Sequence, residues 1–120
     1  MKSFEEWLPS FLAFRTSCRS LLGQRLPSEV PQLNLEEQQL QPMLFHAQDF
    51  ASDAIGYYYQ AKNRHMDRML EEGFPKSSLD SAGKAQSYKE LWAREQAERL
   101  AQVIDSRSYK VSAALQRMKP

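Results

Sequence analysis

Cysteine is nearly absent: Cys18 is the single one, so no intrachain disulfide can form and nothing points to an oxidising compartment. Glycine is scarce too, with 4 in 120 residues. The sequence holds no Gly-rich phosphate loop, no G-x-S-x-G elbow and no H-E-x-x-H motif, which removes the commonest nucleotide, acyl-transfer and zinc chemistries. Long apolar runs are missing as well. No stretch approaches the roughly 20 residues a membrane helix needs, and "MKSFEEWLPSF" carries two acids where a secretory signal would be apolar. A cytoplasmic protein without a membrane partner is expected. Histidine is equally sparse. His46 and His65 are predicted on one helix, about 28 Å apart in axial rise, so they cannot share a metal. Neither belongs to a Glu-x-x-His pair. Cys18 lies on an apolar stripe and reads as an inert buried thiol rather than a nucleophile. No enzyme activity, cofactor or metal is expected.

What is plentiful is Ala, Leu, Gln, Glu, Arg and Lys, the residues that lose little entropy in a helix. At 42% hydrophobic and 26% charged, the composition suits one soluble all-α domain over residues 1–120. Ser3-Phe-Glu-Glu6 has capping-box form, and Pro9 sits where an uninterrupted helix would suffer. A first helix over about 9–22 follows, with Phe11, Phe14, Cys18, Leu21 and Leu22 at helical spacing and Gly23 as its stop. "LPSEVPQLN" predicts an extended connector, and Asn34 with Glu37 a helix entry cut short or kinked by Pro42. The longest helix is predicted over 43–72, with apolar residues on two faces. Gly73 and Pro75 mark a turn, Ser77 with Asp80 restarts a helix, and the apolar pattern then continues to about 117. "DSRS" at 105–108 is a candidate bend. The expectation is a long antiparallel hairpin, 43–72 against 78–117, with the N-terminal helix packed on it and 1–42 holding that helix and the connector.

Charge is unevenly placed. Residues 1–60 hold 4 basic and 7 acidic side chains, residues 61–120 hold 12 and 8. In "SRSYKVSAALQRMKP" the cations stand without any acid, as phosphate binding requires; a solvated, dipole-complementing helix end is the plainer reading. "AIGYYYQAKNRHMDRML" sets three tyrosines before a cluster of cations. Successive helical residues are about 100° apart, so Tyr57 and Tyr58 fall on the apolar stripes while Tyr59 faces outward near Lys62. Aromatics beside Lys and Arg suit single-stranded nucleic acid, because stacking and phosphate contacts need no particular base sequence. The candidate nucleic-acid contacts are Tyr59, Lys62, Arg64, Arg68, Arg107, Tyr109, Lys110 and Arg117.

"AKNR" at 61–64 beside a tyrosine cluster, a second long helix containing Trp92, and "VIDSRSYKVSAALQRMK" at 103–119 together define a pattern. Over residues 43–119 it resembles the phage recombination-mediator family (UvsY-like), all-α proteins that assemble into rings on single-stranded DNA and help load a recombinase. The tyrosines here precede the Lys-x-Arg pair, Ser108 stands where that family usually has Gly, and residues 3–22 have no counterpart. The resemblance implies that Lys62 and Arg64 contact phosphates and that Arg107, Tyr109 and Lys110 support assembly or binding. It also implies self-association and a recombinase or other host-protein partner. Two further readings stand beside it: a structural or adaptor protein, such as a phage particle component, acting only through protein contacts, and a small inhibitor docking on a nucleic-acid-binding host protein.

Overall fold

A computed structural model describes residues 2–119. Four α-helices account for most of them: α1 (Phe4–Leu22), α2 (Val30–Glu71), α3 (Leu79–Gln86) and α4 (Tyr88–Arg117). The all-α expectation holds, and the molecule is a rod of 69 × 27 × 20 Å whose length is set by α2.

The seam of the rod is written in both long helices. On α2, Leu33, Leu40, Ala47, Ala54 and Ala61 recur every seven residues and all are buried. On α4, Ala93, Ala97, Leu100, Ile104, Arg107, Val111 and Ala114 recur at alternating intervals of four and three, and all are buried too. That is the spacing that keeps one face of each helix against the other. Where the seam is alanine, small side chains let the backbones approach, and bulk comes instead from α1. There Trp7 and Phe11 stack with centroids 5.3 Å apart, and Phe14 stacks on Phe50 at 5.1 Å. Trp7 also meets Tyr57 at 5.4 Å, whose hydroxyl donates to the Lys2 carbonyl at 2.5 Å. Burial raises the Tyr57 phenol above its ordinary range, with Asp53 and Glu6 adding to the shift. α1 therefore runs antiparallel to α2, and the bundle has three helices at this end but only α2 and α3 at the other.

Pro9 was expected to start or kink the first helix and Pro42 to shorten or kink the next; both lie inside continuous helices. α1 begins at Phe4, capped by Ser3 Oγ, which accepts from Glu6 N–H at 3.2 Å, and continues through Pro9. α2 begins at Val30 with Pro31 in its first turn and passes through Pro42, so the hairpin's first arm starts thirteen residues earlier than predicted. Asn34 lies inside it. In each case the carbonyl that proline leaves without a partner belongs to an exposed residue, Glu5 or Gln38, and water can satisfy it.

The turn after α2 is a Schellman motif: Gly73 at φ 91°, Phe74 N–H donating to Met69 O at 3.0 Å, Gly73 N–H to Leu70 O at 3.1 Å. The second arm is not one helix. After a 3-10 turn at Lys76–Ser78, α3 starts at Leu79 rather than at Ser77, and Ser78 donates to Pro75 O instead of capping. At Ser87 the ladder breaks; its buried hydroxyl donates to Gly83 O at 2.8 Å and its N–H to Gly83 and Lys84. Gly83 lets α3 lie close on α2, since a Cβ there would stand 2.6 Å from Met66 Cγ. Residues 105–108 form no bend.

Candidate nucleic-acid interface

The eight residues singled out from the sequence fall into two groups that the fold holds apart. Glu36 faces Arg107 across the seam, so in the antiparallel pair Lys110 is level with Leu33. Lys62 lies about 29 residues further along α2, roughly 43 Å away at 1.5 Å per residue. Tyr59, Lys62, Arg64 and Arg68 occupy one end of the rod; Arg107, Tyr109, Lys110 and Arg117 the other.

Within the first group the charges are partly spent. Lys62 Nζ contacts Asp80 Oδ1 at 2.5 Å, an ion pair that ties α3 to α2. The hydrogen bond to Asp80 holds the Lys62 ammonium above the usual lysine range and, reciprocally, the Asp80 carboxyl below its own. Arg68 stands 4.0 Å from Glu72, loosely and in solvent. Arg64 is exposed and makes no ion pair among the described residues, but it is turned about 200° from Lys62 on the helix. Tyr58 is buried as expected and Tyr59 is 47% exposed. Arg94 lies over both rings, 5.4 and 5.5 Å from their centroids, held by Glu98 at 2.9 Å.

Arg107 corrects the reading of "DSRS". Its side chain is buried in the seam, with Nε and Nη2 each 2.8 Å from a Glu36 carboxylate oxygen. Nη1 donates to the Gln24 carbonyl at 2.6 Å, and Nη2 also to that of Arg25. The Glu36 bond holds the guanidinium charged, against the cost of burial. Arg107 therefore fastens the α1–α2 loop to the hairpin: four of its five N–H donors are engaged there and its charge is matched by Glu36, so it is a structural tie rather than a phosphate contact. The 4-3-4-3 spacing of Leu100, Ile104, Arg107, Val111 and Ala114 was the available signal: it puts Arg107 in the seam. Tyr109 (77% exposed), Lys110 and Arg117 do face solvent, at the end of α4.

A different cationic surface is assembled by packing. Along the groove between α1 and α4 lie three depressions, of about 330, 280 and 480 Å³. The first is walled by Leu8, Tyr88, Lys89 and Trp92; the second by Arg15, Arg19, Leu22, Gln96, Arg99 and Val103 among others. The third continues past Leu26 and Ser106 to Lys110. No carboxylate lines any of them except through the neutralised Arg107 pair; by helical position Glu95 is the nearest acid on α4, exposed beside Trp92 and Arg99. From Tyr88 to Lys110 the groove is roughly 33 Å long. Arg15 sits at its middle, Nη1 donating to Gln96 at 3.0 Å, the guanidinium 5.4 Å over the Trp92 ring, and Nε buried with no partner. Burial, and then the charge of Arg19 one turn on, lower its pKa: two cations are held together with nothing negative between them. Such a strip attracts a polyanion.

Arg15, Arg19, Lys89 and Arg99 were not anticipated because no single helix carries them together. Tyr88 and Trp92 read as part of the apolar pattern, whereas they are 64% and 42% exposed. Cys18 is buried and its thiol is pushed up by desolvation. Among the described residues no group of His, Cys, Asp and Glu could hold a metal ion, and no helix is long and apolar enough to cross a membrane. Comparison with protein-family models, with curated proteins and with solved structures finds no match to this chain. The resemblance to recombination mediators thus rests on residues 61–64, Trp92 and 103–119 alone.

Proposed function

We propose that the protein is a non-enzymatic accessory that binds single-stranded nucleic acid along the α1–α4 groove. The observation that carries this reading is the groove itself. Arg15, Arg19, Lys89, Arg99 and Lys110 border one strip together with exposed Tyr88 and Trp92, and none of the five makes an ion pair among the described residues. Single strands offer phosphates for the cations and bare base faces for the rings. A role in recombination, assembly on DNA and a recombinase partner follow only from the sequence resemblance and belong to the same proposal.

The test is a titration of labelled oligonucleotides at several salt concentrations. Each phosphate neutralised contributes a slope of about −0.7 on single strands, so about five contacts give a slope near −3.5 in log affinity against log salt. Arg19→Glu with Arg99→Glu should abolish binding while leaving the helical signal intact. Absence of binding at low salt removes the proposal.

A second reading, an adaptor working through protein contacts, is favoured by one feature on the opposite helix. Phe45 (70% exposed) and Leu35 (56% exposed) flank Pro42 on one face of α2. Light scattering with and without oligonucleotide separates the readings: the adaptor forms an assembly whose mass ignores nucleic acid.

A further inference from the structure

We infer that the depression walled by Leu8, Tyr88, Lys89 and Trp92 is a nucleobase pocket, the point at which the groove holds one base of a single strand by stacking. The inference rests on the reading of the groove as a nucleic-acid surface and adds to it a specific contact and its chemistry.

Tyr88 and Trp92 are one helical turn apart on α4, at the edge of the face that meets α1. The neighbouring Ala93 and Ala97 carry the seam, whereas Tyr88 remains 64% and Trp92 42% exposed. Two large rings left open side by side, with the half-buried Leu8 of α1 as floor, form an apolar cavity of about 330 Å³. That is at the small end of organic-ligand sites, which span about 300 to 1,000 Å³. Its only charged wall is Lys89, and Arg15 lies over the Trp92 ring from the groove side. A flat heterocycle joined to a phosphate matches both features: the ring stacks on indole and phenol, and the phosphate meets Lys89 and Arg15. An acidic peptide would satisfy the cations but leave the aromatic wall without a flat partner.

The walls also say how selective the pocket is. They offer no amide or carboxylate to read a base edge, so stacking supplies most of the affinity and any base is accepted. Paired bases hide their faces inside a duplex, so single strands are preferred.

The experiment uses the full chain, a thymidine oligonucleotide, an abasic strand of the same length, and an acidic peptide. Trp7 is 4% exposed and Trp92 42%, so binding of the thymidine strand should quench emission from Trp92 while Trp7 stays silent. The Trp92→Phe variant, lit only by Trp7, should bind normally without quenching. Trp92→Ala should lose roughly five- to a hundred-fold in affinity for the thymidine strand and nothing for the abasic one, its salt slope unchanged. Tyr88→Ala provides the same comparison should the first variant fail to fold. Equal affinity for thymidine and abasic strands, with neither variant altering it, overturns the base pocket and leaves a cationic groove for polyanions in general. Tight binding of an acidic peptide and of neither strand, or no binding of any probe at low salt, overturns the groove reading as well.

Discussion

At the scale of single residues the molecule turns on one buried ion pair. Glu36 and Arg107 are 4% and 9% exposed and occupy seam positions on the two long helices. A bidentate pair inside an otherwise apolar seam matters more for register than for net stability, because its attraction is offset by the cost of removing both charges from water. Breaking it is another matter. Glu36→Ala strands a guanidinium in the core, and a loss of about 3–5 kcal/mol is expected in urea unfolding. Replacing both partners by Leu should recover most of that stability, yet weaken the preference for one antiparallel register, which disulfide trapping of engineered cysteine pairs along α2 and α4 would reveal. Gly83 is the second decisive residue. A Cβ there meets Met66 Cγ at 2.6 Å and both Cγ and the carbonyl oxygen of Lys62 at 3.3 Å; the two side chains can shift, the carbonyl cannot. Gly83→Val should therefore cost about 1–3 kcal/mol and loosen α3, while Gly56→Ala, in open space, should be neutral or stabilising.

At the scale of elements, α3 is the weakly held piece. Gly83 packing and the Lys62–Asp80 pair dock it, and it has no partner in α1. The folded Asp80 pKa is depressed below its usual 3.8, so its contribution is complete above that value and disappears as pH falls through the lower folded one. Lys62 has the opposite sign: its raised pKa keeps the contribution below the ordinary lysine value of 10.5 and loses it as pH rises through the folded one. Hydrogen exchange within residues 79–86 should thus accelerate below about pH 3.8 and again at strong alkali, relative to intrinsic exchange rates, and Asp80→Asn should remove both dependences. Helix boundaries were where the sequence misled. Proline's penalty is an average over helix interiors, and it falls when the orphaned carbonyl faces water, as at Glu5 and Gln38. Pro42→Ala restores that hydrogen bond and should stabilise the protein by about 1–3 kcal/mol. The all-α hairpin itself was readable because helix propensity and apolar spacing agree along both arms. The Ser87 break was not, because Ser is an ordinary helix residue until its hydroxyl turns inward onto Gly83 O.

At the scale of the whole rod, the candidate site shows what a linear pattern conceals. Lys62 and Arg64 are conspicuous in the chain, but one is claimed by Asp80, an acid supplied by a different helix, and the other points elsewhere. Arg15, Arg19 and Arg99 are dispersed in the chain and adjacent in space, because α1 runs parallel to α4 and contributes its polar edge to the same groove. The distal end of α2 and the α1–α4 groove are thus two separate cationic surfaces, and they make opposite predictions. Were the distal end the contact surface, Lys62→Glu with Arg64→Glu would abolish oligonucleotide binding and a bound strand would slow exchange over residues 58–72. The groove predicts that this variant binds within about twofold of the parent, that a bound strand protects residues 8–23 and 88–110, and that Glu95→Gln tightens binding by removing the one acid beside Trp92 and Arg99. The same exchange data in the free protein carry an internal control. Amides in α1 and in residues 40–57 and 93–111 should be the slowest, since three helices bury them, and those beyond residue 62 the fastest of the helical ones, since only α3 covers them. Protection by oligonucleotide confined to that thinly covered end would place binding there and strip the groove of its proposed role.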